Sequence, residues 1–437
     1  MKKAAGLITS AALVLSLLSG CGGKNDTAST NAGGDNKASG GDTPVTLRMS
    51  WWGSDARNEY TQQVIDLYEK EHTNVKIEVE YAAFDDYWKK LAPQAAANQL
   101  PDIMQMDISY ISQYANNGQL EDLTSYAGSQ INTADVAENV LSTGNVNDKL
   151  YGVPVGVNVL GFQYDPSMME KAGISEIPKD WDWDTYQELA KKAGAAGIYF
   201  DSSMAPDIFF HYYLRTKGFS LYNAEGNALG YDDDKLFEDF FGMLVEMIKA
   251  KAVPTQDILT QTKGIVEEND IVKGKGIGMW QWSNQYVALQ QAVNRPMELA
   301  PMPGPDMEKG LYMQPSMYFS IASSSKQKEE AAKFIDFWVN DVEANKLIMG
   351  ERGVPISSKV KEALTPELSE TAKQVFDFVT EMEPLSSPMS PPAPAGSSEV
   401  REMLGDYAEQ MNFEQITPAE AAAKFRGEAN AILANNQ

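Results

Sequence analysis

The sequence predicts an α/β protein with a parallel β-sheet, and three observations carry that prediction. Strand and helix patterns alternate as β-α-β-α-β near the start of the body, the order that builds a parallel sheet covered by helices. The composition is ordinary for a globular chain, with 43% apolar and 10% aromatic residues. The body, from about Pro44 to Gln437, is long enough for two domains.

Each element of the alternating unit has its own sequence pattern. Apolar residues alternate over 45–49 and again over 75–81, as in half-buried strands, and residues 60–68 between them repeat at helical spacing. A helix over Asp85–Asn98 and a short apolar strand over Asp102–Met106 follow. Ligands of such sheets bind outside the carboxyl ends of the strands, so the residues just past those ends are candidate site residues.

Six further segments are predicted in the rest of the body. Asp182 is expected to cap the first of them, since aspartate is a preferred N-cap residue. The six are helices over Trp183–Lys192, Tyr231–Ala250, Glu329–Asn345 and Ala419–Asn435, a strand over Ile277–Trp282, and a rigid proline-rich loop over Pro384–Pro394.

The N-terminus has the pattern of an export signal. Lys2 and Lys3 form a positive region, and the apolar stretch Leu7–Leu18 is too short to span a membrane as a mature helix. Small residues then lead to Cys21, the only cysteine of the 437 residues, as in a bacterial lipobox. We expect residues 1–20 to be a signal peptide and Cys21 to carry lipid on the outer face of the cytoplasmic membrane of a Gram-positive bacterium; a buried core cysteine is the alternative.

A polar tether is predicted after the cysteine. Residues 22–43 contain no large apolar side chain, so they cannot bury enough surface to offset the entropy of ordering. A flexible coil of this length reaches roughly 25 Å. The tether would keep the body near the membrane while leaving it mobile.

Charge and residue counts exclude several classes of function. The net charge of -25 argues against nucleic acid as a partner, because that binding needs clustered Lys and Arg. With Cys21 assigned to the anchor, a cysteine nucleophile and a thiolate metal site are excluded. A Ser-His-Asp arrangement would have to use His72 or His211, since the sequence has no other histidine. No metal site, cofactor or nucleotide-binding motif is predicted. Two-carboxylate chemistry stays open, since 61 acidic residues make pairs unavoidable.

The sequence resembles the family 1 extracellular solute-binding proteins, the carbohydrate receptors of bacterial ABC importers related to maltodextrin-binding protein. The resemblance covers nearly the whole mature chain, and the order and spacing of its motifs make it specific. The motifs include LRMSWWGSDARNEY, LPDIMQMDISYISQYANNGQLEDL, KLYGVPVGVNVLGFQYDP, KDWDWDTYQELAKKAG, GKGIGMWQWSN, PMPGP and RGVP. Thr185 departs from the pattern, which usually has Glu there. Among subgroups, the WWG start and the DDYWKKLAP run look like receptors for plant-cell-wall fragments, notably rhamnogalacturonan pieces.

The resemblance implies a two-lobed fold of the type II periplasmic-binding-protein kind, with the ligand cleft between the lobes. Chain crossings carried over from the family fall near Gly156-Val157-Asn158, near Tyr318-Phe319-Ser320 and near Gly353. Lobe one is then residues 44–157 plus 319–352, and lobe two is residues 158–318 plus 353–437. Binding would close the lobes about these crossings.

The resemblance also implies a function. We expect a monomeric receptor, not an enzyme, that captures an oligosaccharide and delivers it to the membrane subunits of an ABC-type permease. A secreted polysaccharide lyase or glycosidase is one alternative. A sugar-sensing co-receptor of a signalling kinase, with the same fold, is another.

Candidate binding residues follow from the chemistry of a sugar, which has apolar C–H faces and a rim of hydroxyl groups. An aromatic ring can stack on the faces, and polar side chains can pair with the hydroxyls. Trp52 and Trp282 are the predicted platforms, one per lobe. The other predicted ligand-binding residues are Ser54, Asp55, Arg57, Phe84, Asp107, Tyr110, Asn158, Gln281, Gly396 and Ser397.

Several of these residues have an ordinary structural interpretation that stays open from sequence. Asp107 could only cap a helix. Asn158 and Gln281 could satisfy buried backbone groups. Trp280 shares a face with Trp282 and could be the exposed member of the pair. For Trp51 a core position is favoured over ligand contact, and four further tryptophans are assigned to cores or lobe surfaces: Trp88, Trp181, Trp183 and Trp338.

Overall fold

The computed structural model describes residues 44–202, 204–262 and 269–435, with the backbone alone described at 260–262. The predicted signal peptide, Cys21 and the tether lie outside these residues. Within them the predicted α/β class is confirmed.

Helices and strands alternate through the first half of the body. The elements are β1 (Val45–Trp52), α1 (Asp55–Glu71), β2 (Val75–Ala82), α2 (Phe84–Ala96), β3 (Ile103–Met106), α3 (Ile108–Asn116), α4 (Glu138–Leu141), β4 (Asn145–Val146), β5 (Lys149–Leu150), β6 (Val153–Asn158), β7 (Leu160–Tyr164), α5 (Pro166–Lys171), α6 (Trp183–Ala195) and α7 (Pro206–Thr216).

Helices dominate the second half. The elements are α8 (Lys235–Lys249), α9 (Gln256–Thr262), β8 (Gly278–Trp282), α10 (Tyr286–Val293), β9 (Glu298–Ala300), α11 (Met307–Gly310), β10 (Gln314–Ile321), α12 (Lys328–Asn340), α13 (Val342–Ile348), α14 (Ser358–Leu364), α15 (Glu370–Met382), α16 (Ser397–Asn412) and α17 (Pro418–Asn435).

The first sheet has five strands in the order β2-β1-β3-β10-β6. β1 runs parallel to β2 and β3, and β10 runs antiparallel to β3 and β6, so the carboxyl ends of β1, β2, β3 and β6 share one edge. Tyr318 of β10 pairs with both Met106 and Pro154, while β6 continues to Asn158, which pairs with Gln314. β6 and β10 therefore extend beyond the edge at which β3 ends.

The second sheet has three antiparallel strands in the order β8-β7-β9. The chain passes into it from β6 through a single residue, Val159, which lies between β6 and β7. Val159 is tied to Ser283, just after β8: its N–H donates to the Ser283 hydroxyl at 3.2 Å, and its carbonyl accepts from the Ser283 N–H at 2.9 Å. The two lobes, defined here by the five-stranded and the three-stranded sheet, are joined directly by this segment.

The lobe ranges stay a prediction, and the strands show where the three predicted chain crossings between the lobes lie relative to the sheets. The segment near Asn158 ends β6, one residue before Val159. All of β10, from Gln314 onward, lies in the first sheet, so residues 314–318 belong with that sheet. After Gly353 the chain continues into α14, which packs against α12 and α13 beside the first sheet.

Two glycines let the segment before α14 approach β6 closely. Val157 and Val354 exchange backbone hydrogen bonds of 2.9 and 3.0 Å. Gly353 has φ +92°, a conformation that side chains rarely adopt, and a Cβ at Gly156 would collide with the carbonyl oxygen of Arg352. These positions require glycine because the two backbones touch there.

Five tryptophans that the sequence did not assign to the ligand site are buried. They are all at least nine-tenths buried, and Trp51 has no exposed surface at all. The set is Trp51, Trp88, Trp181, Trp183 and Trp338. Such large apolar side chains supply much of the burial that stabilises each lobe.

Two predicted helices have the wrong extent. The helix predicted over Glu329–Asn345 ends at Asn340, because the Asp341 carboxylate accepts the N–H of Ala344 at 2.8 Å and starts α13 instead. The helix predicted from Tyr231 begins only at Lys235. Within the described part of the chain, no helix has the length and apolar character needed to cross a bilayer.

Candidate ligand-binding site

The shared carboxyl edge of the first sheet brings together residues that are far apart in sequence. Trp52 ends β1 and Asp107 directly follows β3 at this edge, while Asn158 ends β6 four residues beyond the end of β3. This gathering is the one expected for parallel strands, whose carboxyl ends form the ligand-binding edge of an α/β sheet. Since β6 leads into lobe two at the same edge, the edge faces the junction of the lobes.

Five aromatic residues at this edge form the lobe-one aromatic cluster. Trp52 packs against the rings of Phe84 and Tyr87, each at a centroid distance of 5.3 Å, and against Trp88 at 5.7 Å. Tyr110, from α3, stacks on Trp88 at 3.8 Å with an interplanar angle of 17°. The predicted site residues Trp52, Phe84 and Tyr110 thus belong to one cluster.

The members of this cluster differ in exposure. Trp52 is only 8% exposed, whereas Phe84 is 41% exposed. Trp52 therefore supports the rings around it more than it offers its own indole face. Phe84 and Tyr110, which were secondary choices from sequence, present the more accessible rings of the cluster.

A second group, the lobe-two cluster, surrounds the other predicted platform. Trp282, half-buried at the end of β8, lies 5.9 Å from the ring of Tyr312, and Tyr312 lies 6.3 Å from the ring of His211. The guanidinium of Arg215 sits over the Tyr312 ring at 5.3 Å. The Ser390 hydroxyl joins the cluster from the proline-rich loop, 3.1 Å from His211 Nε2 and 2.7 Å from Arg215 Nη1.

Trp280 is the packed member of the β8 pair. It is 4% exposed and lies 4.6 Å from the ring of Phe162 and 5.8 Å from that of Trp181. Trp282 on the same face keeps part of its surface accessible. The sequence left the choice between them open, and burial decides it.

Asn158 has an unusual polar environment. Its side chain is 4% exposed, and its Oδ1 has no hydrogen-bond donor among the described residues. A buried amide oxygen without a donor costs roughly 1–3 kcal/mol, so a donor from a ligand or an ordered water fits this position. Asn158 thus combines burial, an open acceptor and a place at the junction of the lobes.

Arg57 is held by a charged partner within the protein. Its Nη2 and Nε reach the two carboxylate oxygens of Glu351 at 3.1 and 3.2 Å, and Nη1 lies 3.5 Å from the Trp52 carbonyl oxygen. Ser54 and Asp55, at the start of α1, are exposed, and the Ser54 side chain makes no capping hydrogen bond. Ligand contact by these three residues stays a prediction.

Asp107 does cap α3, as the competing interpretation expected. Its Oδ1 accepts the N–H of Ser109 at 2.8 Å. The second carboxylate oxygen has no partner among the described side chains, so capping leaves one acceptor for a ligand hydroxyl.

Three further predicted residues lie in lobe two. Gln281 uses its Oε1 to accept the N–H of Trp282 at 3.1 Å. Gly396, with φ +82°, precedes α16, and Ser397 begins that helix and accepts the Tyr222 hydroxyl through its carbonyl at 3.4 Å. Both follow the proline-rich loop that carries Ser390, and their contact with ligand stays a prediction.

Sequence reasoning missed Tyr312, Arg215 and Ser390. Arg215 ends the aromatic run DIFFHYYLR of α7, which also contains His211. Burial, followed by the nearby Arg215 charge, lowers the pKa of His211 to about 4. His211 is therefore a neutral group at physiological pH. Among residues 44–202, 204–262 and 269–435, no set of three or more His, Cys, Asp or Glu side chains could hold a metal ion.

Two α/β lobes that meet at an aromatic-lined edge define the class of two-lobed binding proteins. The sequence matches the model of the bacterial extracellular solute-binding proteins over residues 52–344. The chain belongs to this family, as the motifs of the sequence indicated.

Solved structures and curated relatives agree with that assignment. The family 1 extracellular solute-binding protein from Alicyclobacillus acidocaldarius is 30% identical, with a TM-score of 0.82 over 90% of this chain and 100% of that chain. A periplasmic oligogalacturonide binding protein from Yersinia enterocolitica is 24% identical, with a TM-score of 0.77 over 90% and 100%. The diacetylchitobiose binding protein DasA of Streptomyces coelicolor is 24% identical over 96% of each chain. The two-lobed fold predicted from sequence is confirmed.

Proposed function

We propose that this protein is a lipid-anchored extracellular receptor that binds an oligosaccharide between its lobes and delivers it, chemically unaltered, to an ABC-type permease. One observation carries the proposal: an aromatic cluster lies in each lobe, and the open amide oxygen of Asn158 lies at the junction between the lobes. Stacking rings and hydroxyl-pairing groups are what a sugar requires.

The relatives support the ligand class. A protein named for binding diacetylchitobiose is similar in sequence over 96% of this chain, and one named for binding oligogalacturonide shares the fold over 90% of it. Their names give two different saccharides, so the comparison supports a saccharide in general.

The lobes would close about the segments that join the two sheets. We propose that lobe one comprises residues 44–158 and 314–364, and lobe two residues 160–313 and 370–437. Support comes from the strand order of both sheets and from the packing of α14 against α12 and α13. Closure would bring Trp282 and Tyr312 toward the lobe-one aromatic cluster.

Titration calorimetry of the purified protein with neutral and acidic oligosaccharides tests the binding proposal. We expect at least one saccharide to bind with 1:1 stoichiometry and to be recovered intact by mass spectrometry. Shorter or unsaturated products would instead establish a glycosidase or a lyase. Absence of binding across the panel would reject the saccharide receptor.

The lipid anchor has a separate test. We expect Cys21→Ala to move the protein from the membrane fraction to the medium, because lipid burial is what holds it at the membrane. Ser19→Ala, a small-residue change two positions earlier, is the matched control and should leave the distribution unchanged. Equal membrane retention of the Cys21 variant would exclude the anchor.

A further inference from the structure

Arg215, on α7, is a partly buried cation whose contacts are all uncharged. Its Nε donates to the Gly310 carbonyl at 3.0 Å, and its Nη2 donates to the Ser387 hydroxyl at 2.6 Å and the Pro388 carbonyl at 2.9 Å. Its Nη1 donates to Ser390 at 2.7 Å. These bonds leave one of the five N–H groups without a partner among the described residues.

No carboxylate compensates this charge within the described part of the chain. Asp207, an acidic residue on the same helix, instead approaches Arg401 at 4.0 Å. The protein has 61 acidic and 36 basic residues, so an arginine without a carboxylate partner is unexpected. Burial lowers the pKa of Arg215, as expected for a cation that lacks a counter-ion.

A cavity lies next to Ser390, one of the hydrogen-bond partners of Arg215. It has a volume of about 450 Å³ and is lined by the 220–226 loop, the proline-rich loop and His211. Its volume falls in the range of small-molecule sites. Two of its lining residues belong to the lobe-two cluster. Ser390 accepts a hydrogen bond from Arg215, and the ring of His211 lies next to that of Tyr312. The cavity therefore continues the lobe-two cluster that begins at Trp282. Glu225, the one acidic residue lining it, is exposed.

We propose, on the basis of the saccharide-binding function above, that the ligand carries a carboxylate, as a uronic acid does, and that Arg215 recognises this group beside the Tyr312 ring and the Ser390 hydroxyl. The ligand carboxylate supplies a negative charge next to Arg215 and accepts a hydrogen bond from the remaining N–H of Nη1. Neutral His211 and the Ser390 hydroxyl lie beside Arg215, and Glu225 on the cavity wall is exposed to solvent, which screens its charge.

A second arginine without an ion pair shows what distinguishes this site. Arg352 is also free of carboxylate contacts within the described residues, yet it has no exposed surface and is enclosed by the rings of Tyr60, Phe319 and Trp338 at 5.1–5.7 Å. No ligand can reach it, and its charge is stabilised by hydrogen bonds to the Gln105 amide oxygen and the Thr61 hydroxyl together with the aromatic faces. Arg215, in contrast, keeps part of its surface accessible, bonds the Ser390 hydroxyl on the cavity wall and has one ring beneath it.

Calorimetric titration with trigalacturonate and with its fully methyl-esterified form tests the proposal, since esterification removes the carboxylate charges, keeps the sugar rings and their linkages, and adds one methyl group to each carboxyl. We expect the acid to bind about tenfold or more tightly than the ester, the usual worth of a charge-assisted contact. Arg215→Gln should remove this preference and leave the ester affinity within about threefold. Arg215→Lys, which keeps the charge but not the fork, should keep part of the preference.

Arg48→Gln provides the matched control. It removes the same charge from an exposed pair with Glu80 in lobe one and should leave the preference intact. Equal affinity of the unmodified protein for acid and ester would overturn the proposal, as would an equal loss for both ligands in Arg215→Gln, which would reduce Arg215 to a clamp on the proline-rich loop. Binding of neutral saccharides alone would also overturn it while leaving the receptor function intact.

Discussion

The two aromatic clusters differ in how much of their ring surface is committed to packing. In lobe one, Trp52 is covered by three neighbouring rings and is 8% exposed. In lobe two, Trp282 contacts Tyr312 edge-on and remains half-buried. The first tryptophan is therefore part of a packed core, and the second keeps ring surface that a ligand could contact. A tryptophan at a strand end can serve either purpose, and its neighbours decide which.

Trp52→Ala should have the largest effect, and the effect should fall on stability. Removing a buried indole that three rings contact leaves a cavity and typically costs about 3–5 kcal/mol. The measurement is the free energy of unfolding from denaturant titration. Phe84→Ala, which truncates an exposed ring of the same cluster, should cost far less. Similar costs for both would remove the distinction between support and surface.

The lobe-two cluster should also be sensitive to acid, because it contains His211. The folded protein holds the pKa of His211 at about 4, below its usual 6.5, so between these values the unfolded chain binds a proton that the folded chain does not. The free energy of unfolding should therefore fall as the pH drops from 6.5 to 4, by roughly 3 kcal/mol from this residue. His211→Gln should flatten that part of the pH profile. Identical profiles for variant and parent would contradict the burial of a neutral imidazole.

Trp282→Ala should reduce affinity while leaving the fold intact. Loss of one stacking ring costs about 1–3 kcal/mol by analogy with base–aromatic stacking, and the half-buried side chain contributes little packing. Calorimetry with the saccharide identified by screening measures the affinity, and thermal unfolding checks the fold. An unchanged dissociation constant would remove Trp282 from the site.

Gln281→Ala should have the smallest effect. Its Oε1 is occupied by the neighbouring Trp282 N–H, so little of its hydrogen-bonding capacity is left for ligand. We expect affinity to change by less than about 0.5 kcal/mol, the range of substitutions away from special features. A loss as large as that of Trp282→Ala would show that Gln281 turns toward the ligand on binding.

The sheet and its ligand-binding edge were predictable because the signals are local. Alternation over 45–49 and 75–81 identified strands, and parallel order then placed Trp52 and Asp107 at one edge. The exposure of Trp52 was not predictable, because it depends on rings supplied by α2. The cluster around Tyr312 was also hidden, since residues 215, 312 and 390 meet only through the packing of three distant segments.

A crystal structure of the protein with its bound saccharide tests the central claim most directly. We expect a sugar ring stacked on Trp282 or Tyr312, a hydroxyl donating to Asn158 Oδ1, and contact with Phe84 or Tyr110 across the junction. A saccharide bound in a cavity within one lobe, with Asn158 Oδ1 unchanged, would contradict a site between the two aromatic clusters.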